Sequence, residues 1–217
     1  MVTTKPNRPP GRPKAEDSMP LETILQVALN AFATHGYDGV SLRTLNKELG
    51  ASHNLIYQRF GSKENLWRAA VDFGFGRVVR RLDGILDPAV TDPVEQLRLA
   101  VREFLKVSAR YPELTALMNF EGRQDTPRLT YIFETYVRPT EGRLWQLAEY
   151  LMAENIIRPM PQRALHFLIT HGGTAPYSQV PLALHFDPAS PLDPESVDQH
   201  AELVSTILID GLRVRKT

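Results

Sequence analysis

Apolar residues recur along this chain at spacings of three and four, and no alternating polar and apolar run persists, so the pattern predicts an all-α protein. The clearest stretch comes early: Leu21, Ile24, Leu25, Ala28, Leu29 and Phe32 share one helical face. Ser18 is placed to cap this first helix, Pro20 is tolerated in its first turn, and His35-Gly36 stops it near Thr34. A second, shorter helix has Ser41 as its cap, Leu42, Leu45 and Leu49 as its buried face, and Gly50 where left-handed backbone ends it. Ala51-Ser52 makes a turn, and Ser52 caps a third helix over 53–60. Two helices of about two turns each, joined by a glycine-containing turn of about three residues, form a helix-turn-helix.

Stepping around the third helix by about 100° per residue puts Leu55, Ile56 and Phe60 on one side, and His53, Asn54, Tyr57 and Gln58 on the other. Nothing gives the second face a reason to be buried. Its side chains suit nucleic acid: Asn and Gln pair with adenine, while His and Tyr reach phosphate or a thymine methyl. Arg59 falls among the apolar positions, with a stem that lies along the core and a head that reaches backbone phosphate; it ranks below the other four. Ser62 caps a fourth helix, in which Lys63 opposes the helix dipole unless an anion such as phosphate sits at that end. The alternative for Lys63 is a solvated side chain without a partner.

Farther along, helical text is punctuated by proline. The fourth helix is expected to run from Lys63 past Val79, and Asp92-Pro93 to start the next, with Leu97, Val101, Phe104 and Leu105 apolar before Tyr111-Pro112 ends it. A short helix over 114–120 is followed by a long one over 126–153, kinked or broken at Pro139. Pro161 opens a penultimate helix that loosens at Gly172-Gly173 and Pro176, and a proline-rich loop is expected over 180–194. The last helix, over 195–213, carries Val197, Ala201, Val204, Leu208 and Leu212 in one stripe, widened by Leu203 and Ile207. So broad a face at the end of a chain points to a subunit interface, with intramolecular core as the alternative.

The 217 residues, 42% of them hydrophobic, are enough for one core and a small satellite module. With no cysteine there is neither a disulfide framework nor a thiolate zinc site, which suits a reducing, cytoplasmic setting. No run approaches the ~18 apolar residues of a membrane span, and no membrane partner is expected. The net charge of zero argues against a histone-like protein, yet Lys5, Arg8, Arg12 and Lys14 stand almost unopposed before Glu16 and Asp17. An arm built on Gly11-Arg12-Pro13 resembles minor-groove insertions, in which an extended arginine enters a narrow groove; a disordered tail adding nonspecific affinity is the alternative.

Helical bundles commonly hold a ligand between their helices. Aromatic and sulfur side chains gather at Phe104, Met118, Phe120, Tyr131, Phe133, Tyr136, Trp145, Phe167 and Tyr177, most of them simply core. Polar residues within that apolar text are more telling: Asn119, Glu121, Arg123, His166 and His171. Together with Phe104, Met118 and Tyr136 they form the candidate ligand set, for a mostly apolar or aromatic ligand. Enzyme readings find less support. His171-Gly172-Gly173 lacks the nucleophile elbow of an esterase, and Asp72-Phe73-Gly74 lacks every other kinase segment. His166 and His171 are poorly spaced for one metal, so neither metal nor cofactor is expected.

The stretch over 24–71 resembles the tetracycline-repressor (TetR) family. Phe32, Gly36, Val40-Ser41, Gly50-Ala51-Ser52, Ile56-Tyr57, Phe60 and Lys63-Glu64-Asn65-Leu66 hold that family's spacings all at once. Asn46 departs from it where a small alanine is usual, and Arg59 where an aromatic residue or histidine is common. The resemblance implies a two-fold dimer built from the last two helices, with the third helix in the major groove of a palindromic operator, released when a small molecule occupies the C-terminal domain. By position it makes Ser41, Arg43, Ser52, His53, Asn54, Tyr57, Gln58 and Lys63 DNA contacts; for Ser41 and Ser52 capping is the plainer role, and Arg43 can equally be a solvated surface residue. The resulting organisation is a basic arm over 1–17, a helix-turn-helix domain over 18–62, and a helical ligand-binding and dimerisation domain over 63–217. Repression is favoured by resemblance alone, and a constitutive DNA-binding or architectural protein without an effector is the rival reading.

Overall fold

A computed structural model describes residues 19–84, 86 and 89–214. The basic arm with Arg12, and the Ser18 cap, lie outside the described residues. Among those described the chain is helical throughout, with a single isolated bridge between Ile157 and Arg213.

The first helix, α1, spans Leu21–Gly39, and Pro20 occupies the cap position instead of the first turn. With no side-chain cap, its first donors, Thr23 N–H and Ile24 N–H, bond the Pro20 carbonyl at 3.2 and 3.4 Å. The helix also runs past the expected stop at Thr34. Gly36 interrupts it at φ +67° without ending it, and a Cβ there would collide with the Phe120 ring. This glycine therefore permits both a left-handed backbone and close contact with a later helix.

Helix α2 (Leu42–Glu48) ends at Leu49, followed by Gly50 at φ +62° as expected, and α3 covers Leu55–Phe60. The third helix begins two residues later than its expected start at His53, and Asn54 rather than Ser52 holds its cap position. Neither Ser41 nor Ser52 makes a side-chain cap; Ser52 contributes only its carbonyl, to Leu55 N–H at 3.2 Å. Ser62 does cap α4 (Lys63–Leu82), its hydroxyl accepting from Asn65 N–H at 3.1 Å.

Helices α5 (Pro93–Arg110) and α6 (Pro112–Glu121) follow, and Asp92 caps the former through Val94 N–H at 2.8 Å. The expected long helix is α7 (Pro127–Ile132), a π-helical turn (Phe133–Val137) and α8 (Arg138–Ala153). Pro139 has no N–H to give the Thr135 carbonyl, and just before it Arg138 N–H reaches back five residues to Phe133. The penultimate segment divides likewise into α9 (Gln162–Phe167), a second π-helical turn (Leu168–Gly172) and the short α10 (Ala175–Ser178). The loop expected over 180–194 is corrected in part to a helix, α11 (Val180–Phe186), because Pro181 falls in a first turn, where it is tolerated. The final helix, α12, is Pro194–Leu212.

Two cores result. The first joins α1, α3 and α4 to α6 and α7 around Phe32, Ile56 and Trp67. The second joins α5, α8, α9 and α12 around Leu97, Leu105, Leu151 and Ile209. Antiparallel packing of α5 on α12 is registered by three ion pairs: Arg98 with Asp210 at 2.6 Å, Arg102 with Glu202 at 2.9 Å, and Lys106 with Asp198 at 2.6 Å. Such exposed pairs select register more than they stabilise.

Candidate nucleic-acid interface and adjoining cavity

The recognition surface starts from burial. Leu55 and Ile56 are buried while His53, Asn54, Tyr57 and Gln58 are exposed, and Tyr57 leaves 66% of its surface open. An aromatic side chain so displayed on a short helix is held outward by the burial of its neighbours. Arg43 and Ser41 are also exposed, on and beside α2.

The turn between α2 and α3 is held by Asn46, which is buried although polar. Its amide donates to the His53 carbonyl at 2.8 Å, and its side-chain oxygen accepts from Ile56 N–H at 3.3 Å. Its own backbone carbonyl takes Ala51 N–H at 2.9 Å. A buried amide that satisfies both ends of a turn fixes one helix against the next. Asn46 is therefore a bracket for α3.

Two other side chains stand where the apolar pattern did not place them. Arg59 is exposed and donates to the Met19 carbonyl at 2.8 Å, tying α3 to the start of α1. Lys63 Nζ lies 4.6 Å from the centroid of the Tyr37 ring, and the guanidinium of Arg128 lies 4.2 Å from the same ring. The same Arg128 pairs at 3.2 Å with Glu121, which is buried. Glu121 lines none of the three spaces described below and is held by Arg128 at the joint of α6 and α7, where a buried acid needs such a partner.

Beyond α4 lies an apolar cavity of about 130 Å³, walled by Phe75, Leu82 and Phe104 and by Met118, Asn119 and Tyr136. It adjoins a smaller chamber of about 70 Å³ bounded by Leu144, Trp145 and Ile169, and a wide groove of about 960 Å³ that opens to solvent. Glu141 and His166 line all three spaces, and His166 Nδ1 contacts a Glu141 carboxylate oxygen closely. His171 lines the cavity and the groove, with its pKa lowered by burial and by neighbouring His166, which favours the neutral ring. Arg123 lines only the outer groove. Among the described residues no group of histidines and carboxylates is arranged to hold a metal ion, and no helix is long and apolar enough to cross a membrane.

The cavity wall is tied to α4, the helix that follows the helix-turn-helix. Tyr136 stacks on Phe75 with ring centroids 5.2 Å apart, and its hydroxyl donates to Asp72 of α4 at 2.6 Å. Tyr131 donates to the same Asp72 oxygen at 2.6 Å and lies against Trp67 in the first core. Burial, followed by the Asp72 bond and charge, raises the pKa of the Tyr136 phenol far above its ordinary value, so it stays a donor. Asp72 was legible only as part of a chance tripeptide; the signal that finds it is its place beside two tyrosines in the fold.

Residues 24–70 match the family described as bacterial regulatory proteins, tetR family. The nucleoid occlusion factor SlmA of Vibrio campbellii is 26% identical over 152 residues, covering 63% of this chain and 77% of that protein. The transcriptional repressor AcnR of Corynebacterium diphtheriae is 43% identical over 54 residues, covering 25% of this chain and 28% of that protein. Among solved structures, the ketosteroid transcriptional regulator KstR2 of Mycobacterium tuberculosis has the same fold, with a TM-score of 0.69 at 16% identity over 94% of this chain and 98% of the other. The fatty acid degradation regulator FadR of Bacillus halodurans aligns with a TM-score of 0.59 at 19% identity, over 89% and 100%.

Proposed function

We propose that this chain, whose residues 24–70 match the tetR family of bacterial regulatory proteins, acts as a homodimeric, effector-responsive repressor that reads a palindromic operator with α3. The observation that carries this reading is the exposed face of His53, Asn54, Tyr57 and Gln58 above buried Leu55 and Ile56. Around it Ser41, Arg43, Ser52 and Lys63 supply phosphate contacts, and Arg12 of the arm enters the minor groove. The DNA-binding unit is taken as 18–62 and the effector and dimer unit as 63–217.

Dimerisation is assigned to the last helices. On α12, Leu203 and Ile207 leave 58% and 63% of their surfaces exposed, on the face roughly opposite buried Ala201, Ser205 and Ile209. Phe167 and Leu168 are exposed at the end of α9. Apolar side chains of this size repeated along one helix suit an isologous interface.

The effector site is the cavity behind α4, and a mostly apolar ligand fits its walls. Regulators of the same fold named for a ketosteroid and for fatty acids agree with that chemistry. Tyr136 gives the coupling, because it faces the cavity and bonds Asp72 on the helix that follows the helix-turn-helix. A ligand that moves Tyr136 must bind the DNA-competent and released states with different affinity. The likeness to a nucleoid occlusion factor favours a second reading, DNA binding without an effector.

Fluorescence anisotropy on DNA from upstream of the chain's own gene, against scrambled DNA over a salt series, tests the first reading. Binding about 1,000-fold tighter than to scrambled DNA, falling steeply with salt, is expected. Equal affinity for both DNAs favours the second reading, and no binding to either removes the assignment of α3.

A further inference from the structure

We propose that the effector is an amphipathic anion: a small apolar end enters the cavity behind α4, and its acidic group is held at the mouth by Arg123 and Arg163. The inference rests on reading that cavity as the effector site and adds the charge and shape of its occupant.

Shape comes from the three adjoining spaces. The inner cavity of about 130 Å³ is lined almost wholly by carbon. Engineered apolar cavities of about 150 Å³ stay dry and take up benzene, so this one accepts a single ring or a short branched chain. The outer groove, at about 960 Å³, is several times larger and carries side-chain donors on Asn119, Gln162 and Gln179. A ligand that fills both puts a compact apolar end in the cavity and its polar group in the groove.

Charge comes from the mouth. Three arginines line the groove, and Arg138 is already paired with Glu134 at 2.8 Å. Arg123 and Arg163 have no ion-pair partner among the described residues. The only carboxylate on the groove wall among those residues is Glu141, and it faces His166. An anion therefore finds two unengaged guanidinium groups at the rim, and a cation meets repulsion there. Deeper in, Glu141 disfavours a second negative charge, so the acid belongs at the mouth and the uncharged end in the cavity.

Arg123 follows the end of α6, whose Phe120 packs against Gly36 of α1, while Arg163 lies on α9. An acid shared by the two arginines ties the DNA-binding side of the molecule to the effector side.

The test uses the full-length protein and three matched probes: cyclohexylbutanoate, the corresponding alcohol and the corresponding alkylammonium ion. Binding is read from tryptophan fluorescence, since Trp145 bounds the smaller chamber, and from thermal stabilisation. The carboxylate is expected to bind about tenfold tighter than the alcohol, with the ammonium ion weakest and the gap narrowing at high salt. In the Arg123→Gln/Arg163→Gln double variant the carboxylate falls to the affinity of the alcohol, whose own binding is unchanged. Equal binding of all three probes to the unaltered protein, or a gap that survives the double variant, overturns the anion proposal and leaves the effector cavity standing. No response to any probe removes the effector reading itself, and the proposal with it.

Discussion

Helix α3 and the cavity wall around the π-helical turn Phe133–Val137 present their side chains by different means. In α3 two buried residues and the Asn46 bracket lock the backbone, so the exposed face has one orientation. At the wall the backbone departs from regular helical bonding, and Tyr136 is placed by a stacked ring and one shared carboxylate. A surface that must match the fixed spacing of base edges is served by rigidity. A cavity whose occupancy must be felt elsewhere needs a part that can move, and π-helical turns are frequent at such places.

The two regions should be separable by mutation. Combined Asn54→Ala and Tyr57→Ala changes are expected to lower operator affinity about 1,000-fold, to the nonspecific level, as measured by anisotropy. Thermal stability should stay within about 0.5 kcal/mol, since both side chains are exposed. A fall in probe binding at the cavity would show that the regions are not independent. Next in size is Asn46→Ala, which leaves Ile56 N–H and the His53 carbonyl without their buried partner. It should cost about 2 kcal/mol in chemical denaturation and weaken operator binding, with the cavity still responsive to probes. Smallest is Tyr136→Phe, which keeps the ring on Phe75 and deletes the bond to Asp72. Stability should change by about 1 kcal/mol or less. Operator affinity without effector should hold, while the effector's ability to alter it shrinks; an undiminished response would place the coupling elsewhere.

The same contrast governs what could be read in advance. The inward and outward faces of α3 follow from helical phase alone, as does the broad stripe on α12, because each depends on residues three and four apart. Asn46 was visible only as a departure, since its value lies in two backbone groups across a turn. Glu121 looked like a polar group inside a pocket, and only the fold brings Arg128 beside it. Phe104, Met118, Asn119, Tyr136, His166 and His171 do line the cavity, yet apolar text cannot separate a cavity wall from packed core, since both bury the same surface. The helix at Val180–Phe186 was obscured by proline, whose count in a segment says less than its position.

Each π-helical turn accommodates one residue more than an α-helical turn over the same stretch. Loss of a single codon within 133–137 would therefore let that stretch close as ordinary α-helix without turning α8, keeping Thr140, Glu141 and Leu144 on the cavity and changing the wall around Tyr136 alone. Helix α3, lying upstream and anchored by its own bracket, would keep its face. In a lineage of such proteins, ligand preference can thus drift by insertion and deletion while the operator stays the same.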